Sequence, residues 1–353
     1  MRLDAFTERV MRKNKNNKSK LPLTISAQYG LVDQITFFNK VIASTDMSNY
    51  YLLKKGEFAY NKSYSSDYPW GAIKRLDNYE RGALSSLYIC FAPQDNVVSD
   101  FILQYFESPK WHKGVSEIAV EGARNHGLLN VSVQDFFHTY HYVPKDKKEQ
   151  IKIAKLLMLL DERIATQSKI IDKLQSLIKG IGKQLFMDNQ NWRTVRIGEL
   201  LRIGNGKDYK HLGIGKIPVY GTGGQMLLVN DYLYDGESVC IGRKGTIDTP
   251  MFLKGKFWTV DTLFYTYDFK DVLPKFCYYL FLQINWKLYN EGTGVPSLSK
   301  STIENIKVKI PSLEQQQKIC SVLDCYEHKT KSEEQILELY LSEKQYLLRQ
   351  MFI

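Results

Sequence analysis

The sequence predicts an α+β chain: two globular domains joined by two long helices that form an antiparallel coiled coil, with the whole an internal pseudo-repeat. Three observations predict it. A long segment occurs twice in constant register, each copy holds a heptad-spaced apolar row, and short β-type runs broken by turn clusters precede each copy.

Shifting the sequence on itself by 166 positions lays Pro144–Phe186 over Pro311–Phe352. Gln150/Gln316, Lys152/Lys318, Ile153/Ile319, Leu157/Leu323, Ile170/Ile336, Gln184/Gln350 and Phe186/Phe352 coincide without a gap from Gln150 onward. The leading prolines correspond if the first copy carries a one-residue insertion just after Pro144. In the first copy Ile153, Leu157, Leu160, Ile164, Ile171, Leu174, Ile178, Ile181 and Leu185 keep heptad steps, interrupted by Gln167. Such a seam predicts one helix of about 35 residues, near 50 Å at roughly 1.5 Å per residue. The second copy repeats it through Ile319, Leu323, Tyr326, Leu337, Tyr340, Leu347 and Met351, with Thr330 and Lys344 standing where the first has Ile164 and Ile178. Each stripe must be buried, and the other helix is the obvious partner.

The repeat extends weakly upstream. KGEFAYNKSY (Lys55–Tyr64) overlays DGESVCIGRK (Asp235–Lys244), and FILQYFESPKW (Phe101–Trp111) resembles FCYYLFLQINW (Phe276–Trp286). Each half then has a glycine loop, GARNHG (Gly122–Gly127) or GTGVPS (Gly292–Ser297), before the repeat's proline. The predicted domains are 1–143 and 191–310, and the helical segments 144–190 and 311–353. SSLYICF (Ser85–Phe91) and TLFYTY (Thr262–Tyr267) read as strands.

Composition bounds the partner. Over 353 residues, 44% apolar and 24% charged side chains describe a globular chain with sizeable cores. Lys+Arg at 48 against Asp+Glu at 38 leaves a charge of +10, which favours a polyanion. Five cysteines with no CxxC pair suggest neither a disulfide framework nor a zinc ribbon, and fit a reducing cytoplasm. No leader opens the chain and no apolar run approaches roughly 18 residues, so neither export nor a membrane partner is expected.

The enzyme signatures fail in turn. A P-loop needs GxxxxGK[ST], but Gly215-Lys216 is followed by Ile217 and has Lys210 where the first glycine must stand. The glycines around YGTGGQ lack the strand, GxGxxG and helix order of a dinucleotide site. His138 and His141 sit in the aromatic run FFHTYHYVP, which reads as strand-like, with no further ligands to complete a metal set. GxSxG, HExxH and the NPPY or DPPY motif of amino-methyltransferases are absent. No catalytic residue and no metal ligand is assigned.

Loops rich in Gly, Tyr, Asn, Ser and Arg between rigid strands suit base readout, because they offer bidentate groups, stacking faces and close backbone approach. YNKSYSSDYPWGAIKR (Tyr60–Arg75) and CIGRKGTIDTP (Cys240–Pro250) have this character at equivalent places, and GARNHG and YGTGGQ extend it. The DNA-facing candidates are Tyr60, Asn61, Lys62, Ser63, Lys74, Arg75, Arg124, Asn125, Tyr220, Thr222, Gln225, Arg243, Lys244 and Thr246. The basic run Arg12–Lys20 could track phosphates.

The helix starts Glu149–Ala154 and Gln315–Cys320, together with Leu53–Arg75, Gly122–Ser132, Ile217–Gln225 and Ile241–Pro250, resemble the specificity subunit of type I restriction-modification systems. The resemblance covers essentially the whole chain. It implies two target-recognition domains, each reading half of a split double-stranded DNA site, and two repeated spacer helices flanked by two methyltransferase subunits and by restriction (motor) subunits. It also implies that S-adenosylmethionine, ATP and Mg serve the partners and that this chain holds no cofactor. One departure is the abrupt first domain, MRLDAFTERV, beside NWRTVRIGELLRIGNGK (Asn191–Lys207) opening the second. The rivals are a stand-alone sequence-specific DNA-binding regulator whose helices form a homodimer, and an enzyme with a nucleotide site in the glycine loops.

Overall fold

The structure is a computed structural model and describes residues 1–119, 127–187 and 191–352. The chain forms two compact units, Met1–Ser168 with Ile336–Ile353, and Lys169–Gln335. Helices α5 (Lys147–Met187) and α9 (Leu313–Gln350) are continuous over 41 and 38 residues, longer than the spacing alone predicts. No helix among the described residues is long and apolar enough to cross a membrane.

The first unit contains β1 (Thr7–Arg9), β2 (Pro22–Ser26), β3 (Gly30–Asp33), α1 (Gln34–Phe38), β4 (Tyr51–Lys54), β5 (Phe58–Asn61), β6 (Ala72–Arg75), β7 (Arg81–Leu84) and β8 (Ile89–Pro93). Helices α2 (Ser99–Glu107), α3 (His112–Ile118) and α4 (Val133–His138) follow. One sheet has the order β1-β8-β5-β6 and the other β3-β2-β7-β4, with β2 and β7 parallel. The core joins Phe58, Phe91, Phe101 and Trp111 to Leu157 near the start of α5 and Phe352 just beyond α9. Lys344 pairs with Asp161 beside it, so the two helices run antiparallel in this unit.

The second unit contains β9 (Arg193–Arg196), α6 (Ile197–Leu200), β10 (Arg202–Asn205), β11 (Ile214–Gly221), β12 (Gly224–Val229), β13 (Tyr234–Gly242), β14 (Met251–Thr259) and β15 (Leu263–Tyr267). Then come α7 (Pro274–Gln283), α8 (Lys300–Asn305) and β16 (Lys307–Ile310). Six strands run β10-β15-β13-β14-β11-β12, and β16 pairs β9. The first four repeat the order β1-β8-β5-β6. Strand β14 pairs β13 along its first part and β11, in parallel, at its end, which is the work β6 and β7 share in the first unit. Phe186 near the end of α5 packs with Ile319 and Leu323 near the start of α9, again antiparallel.

The buried seam follows the predicted row: Ile153, Leu157, Leu160 and Ile171 are buried, and so is Gln167 at the interruption. Thr330 is also buried, its hydroxyl donating to Tyr326 O at 2.9 Å, so the helix itself satisfies that polar group. Two sequence expectations change. The run FFHTYHYVP is not a strand: Ser132 caps α4, accepting from Asp135 N–H at 3.0 Å and donating to its carboxylate at 2.6 Å, and the helix runs to His138. That N-cap overrides the β-propensity of the aromatics. Within SSLYICF the first residues form a turn, and β8 starts only at Ile89.

The repeat recurs as geometry at one buried residue per unit. Gln150 Oε1 accepts from Val98 N–H at 2.7 Å, and its Nε2 donates to Pro144 O at 2.7 Å. Gln316 Oε1 accepts from Leu273 N–H at 2.8 Å, and its Nε2 donates to Pro311 O at 3.1 Å and Asp271 O at 2.9 Å. Val98 and Leu273 are the N-cap residues of α2 and α7. Each glutamine therefore ties a long helix to the helix packed on its first turns. The Trp111 and Trp286 indoles close those shorter helices alike, donating to Phe106 O and Phe281 O at 2.9 Å.

Two outcomes are expected. Gln150→Leu or Gln316→Leu strands a buried N–H and should lower unfolding free energy by about 1–3 kcal/mol, read as a lower urea midpoint. His141 is buried, with Nδ1 3.0 Å from Tyr105 Oη and Nε2 2.7 Å from Thr139 Oγ1. Burial, helped by the Met1 ammonium, pulls its pKa down to about 4. Between that value and the ordinary 6.5 the unfolded chain binds the extra proton, so stability is lost as pH falls through this window. The loss is on the order of 3 kcal/mol, and His141→Gln should show a correspondingly smaller drop in urea midpoint between pH 7 and pH 4.5.

Candidate nucleic-acid interface

In the second unit four loops distant in sequence meet at one edge of the six-stranded sheet. YGTGGQ is the tip of the β11–β12 hairpin: Gly221 pairs with Gly224, leaving Thr222-Gly223 as the turn. It opens no helix, so it does not have the form of a phosphate cradle. Beside it runs Arg243–Thr246, close enough that a Cβ added at Gly245 would stand 3.6 Å from Thr222 Oγ1.

Backbone bonds hold these loops. Arg243 and Lys244 N–H both donate to Thr262 O, at 2.8 and 3.2 Å. Gly245 N–H donates to Pro296 O at 2.8 Å, and Leu298 N–H to Arg243 O at 2.9 Å, binding in the GTGVPS loop. On the other side Lys207 N–H donates to Thr259 O at 2.9 Å, while Trp258 Nε1 donates to Lys207 O at 2.8 Å. Two glycines are demanded by this packing. A Cβ at Gly206 would meet Val260 O at 1.9 Å and one at Gly242 would meet Thr246 O at 2.0 Å.

Because the main chain holds the loops, their side chains are left free. Arg243, Lys244, Thr246, Gln225 and Lys207 are exposed, and Tyr220 and Thr222 half-buried. Lys207, Arg243 and Lys244 have no carboxylate partner among the described residues; the one side-chain bond here runs from Arg243 Nη1 to Asp261 O at 3.4 Å. Lys207 was missed from sequence. Its signal, GNGK just before a strand pair, is too short to stand out.

The first unit has the same ladder. Leu129 N–H donates to Lys62 O at 2.9 Å, Tyr64 N–H to Gly127 O at 3.0 Å, and Ser63 bridges Leu128 as Lys244 bridges Ser297. Lys62, Ser63 and Tyr64 therefore correspond to Arg243, Lys244 and Gly245, one residue out of step with the sequence overlay. Ser63 is exposed; Asn61 accepts from Ser63 N–H at 3.0 Å; Lys62 lies half-buried with Nζ 3.4 Å from Val131 O.

Three first-unit candidates need correction. Tyr60 is wholly buried, stacked on Phe136 at 4.8 Å with its hydroxyl donating to Trp70 O at 2.9 Å, so it is core. Lys74 is buried too, its ammonium 2.6 Å from Glu107. Arg75 is clamped by Asp77 and Asp100, both at 2.7 Å, and by Ser99. Lys74 and Arg75 are consecutive on β6 and point to opposite faces, but β5 and β6 are covered on both faces, so neither side chain is left free; the polar look of the run concealed this. Arg124 and Asn125 lie outside the described residues.

The buried thiols are poor nucleophiles. Burial pushes the Cys90, Cys240 and Cys320 thiols up to about 12 and raises Cys277 as well. Among the described residues no group of three or more His, Cys, Asp or Glu could hold a metal ion.

Known proteins resemble the chain as follows. A family model described as type I restriction modification DNA specificity domain matches residues 189–339. The MjaVIII specificity subunit of Methanocaldococcus jannaschii is 25% identical over 189 residues, covering 46% of this chain and 42% of that one. The EcoDI specificity subunit of Escherichia coli is 28% identical over 141 residues, covering 38% and 31%. The chain thus matches less than half the length of these relatives. The fold is shared with the crystal structure of a type I restriction-modification S subunit from M. genitalium, at TM-score 0.62 and 17% identity over 100% of this chain and 95% of that one.

Replacing Arg243 and Lys244 by alanine should make the salt dependence of duplex-DNA binding shallower by roughly 0.9 for each phosphate that is no longer neutralised, with an unchanged thermal midpoint. Lys74→Ala should do the reverse, lowering the midpoint and leaving the slope. Fluorescence anisotropy against salt, with thermal melts, separates the two.

Proposed function

We propose that this chain, which belongs to the family of type I restriction-modification DNA specificity subunits, reads a bipartite, asymmetric site in double-stranded DNA. It thereby directs adenine methylation and restriction by partner subunits. The observation that carries the proposal is the repeated ladder: one backbone frame in each unit presents a loop at the same place, with different side chains on it. A common frame with unlike side chains suits two half-sites of unlike sequence, because register comes from the frame and base choice from the side chains.

The chemistry follows from what the site holds. Unpaired Arg and Lys at the second unit's edge can meet phosphates or guanine edges, and Gln225 and Thr222 can exchange donor and acceptor bonds with bases. A non-catalytic role for this chain fits its matched relatives, which are named specificity subunits. Methyl transfer with S-adenosylmethionine, and cleavage driven by ATP and Mg, then fall to two methyltransferase subunits and to restriction subunits. Since the matched relatives are named specificity subunits, a stand-alone regulator is the weaker reading.

The test maps methylated adenine genome-wide in strains with and without this gene, neighbouring genes retained. A split motif that disappears on deletion is expected. Exchanging residues 191–310 for the corresponding segment of another specificity subunit should change one half of that motif and leave the other. If both halves change, the two units do not read independently.

A further inference from the structure

The first unit has an exposed aromatic surface on an insertion that the second unit lacks. After β12 the second unit passes from Val229 to Tyr234 and enters β13 directly. After β3 the first unit inserts α1 and β4 before reaching β5 at Phe58. Helix α1 buries none of its residues. Ile35, Phe37 and Phe38 on it are exposed, as is Tyr29 at the β2–β3 tip, with 68% of its surface open. The rings form a short chain: Tyr29 meets Phe37 at 6.4 Å and Phe37 meets Phe38 at 5.0 Å, edge to face. Left in water, such a patch is unfavourable, which marks it as a contact surface.

Topology and charge indicate the occupant. The β2–β3 hairpin corresponds to β11–β12, since each first strand pairs in parallel with the strand leading into β8 or β15. Its tip therefore corresponds to Thr222-Gly223, the turn beside Arg243–Thr246. The inserted segment also grips the basic loop. Asn14 Nδ2 donates to Ser19 O at 3.0 Å and Met47 O at 3.3 Å, and Met47 N–H donates to Asn17 Oδ1 at 3.1 Å. Lys15, Lys18, Lys20 and Lys40 are exposed and have no carboxylate partner among the described residues. The nearby carboxylates are engaged: Asp33 caps α1 through Ile35 N–H and Thr36 Oγ1, and Asp46 accepts from Ser48 N–H. Apolar rings on the same inserted segment that grips unpaired cations fit a polyanion that also presents apolar edges.

We propose that the β2–β3 tip and α1 form an apolar DNA-contacting element peculiar to the first unit. Tyr29 and Phe37 pack on base edges, thymine methyls above all, while the loop from Lys15 to Lys20 holds adjoining phosphates. This rests on the DNA-reading function proposed above. It gives the first unit a contact element, α1, that the second unit lacks.

The test selects binding sites from a random duplex pool with the full-length wild-type protein and with Tyr29→Ala/Phe37→Ala. These side chains are exposed, so the thermal midpoint should hold, and Tyr29→Phe should behave as wild type. The wild type should return a bipartite consensus, whose first-unit half is the one that survives exchange of residues 191–310. The double variant should lose base preference in that half alone. Replacing thymine by uracil there should weaken wild-type binding about fourfold per methyl and leave the double variant unaffected. A double variant with an unchanged bipartite consensus overturns this inference and leaves the DNA-reading function standing; the patch would then belong to a protein partner. A wild type that selects no bipartite site overturns both.

Discussion

Each unit depends on one buried glutamine. Gln150 and Gln316 are almost wholly enclosed, and each bonds the N-cap N–H of a short helix and the carbonyl of the proline that opens its own long helix. An amide is neutral and carries its acceptor and its donor on separate atoms, so it can accept from one backbone and donate to another at once. A leucine would fill the space and leave both backbone groups unpaired; a glutamate could accept but not donate. The clamp sets where each long helix starts relative to its sheet. The terminal aromatics complete the joint, Phe352 meeting Phe101 at 5.5 Å and Phe186 stacking on Phe276 at 5.2 Å.

The same economy appears at the sheet edges. Carbonyls of Thr262 and Pro296 in one unit, and of Gly127 in the other, hold the edge loops, with Trp258 and Asn61 the side chains that assist. Cations near the core are handled differently: Lys74, Arg75 and Lys275 are each paired with carboxylates. A cation withdrawn from water needs a partner, and one left at the rim does not. The net charge of +10 is therefore not uniformly available: part is neutralised near the cores, and part stays exposed on the edge loops and on the long helix α5.

The long helices were legible because a heptad row is a local pattern whose burial needs only another such row. The repeat was legible because thirty or more positions in one register leave little room for coincidence, as Gln150/Gln316 and Phe186/Phe352 show. TLFYTY proved a strand for a similar reason, since alternation over a few residues settles it. The site was read less well. Tyr60-Asn61-Lys62-Ser63 has the composition of a surface loop, yet its first residue lies within a strand and packs on Phe136. The loop proper starts two residues later. A single-residue slip between sequence overlay and bond ladder turned an inward position outward.

The sequence by itself determined the two halves, the helices that link them and the basic balance, since each is encoded by neighbours along the chain or by exact recurrence. Tertiary structure alone decided which loops share an edge, which cations are already neutralised, and that an exposed aromatic helix belongs to one unit only. Those outcomes depend on pairing between residues such as Lys74 and Glu107, or Gly245 and Pro296, far apart in sequence. Composition carries no record of such partners until the fold brings them within bonding distance.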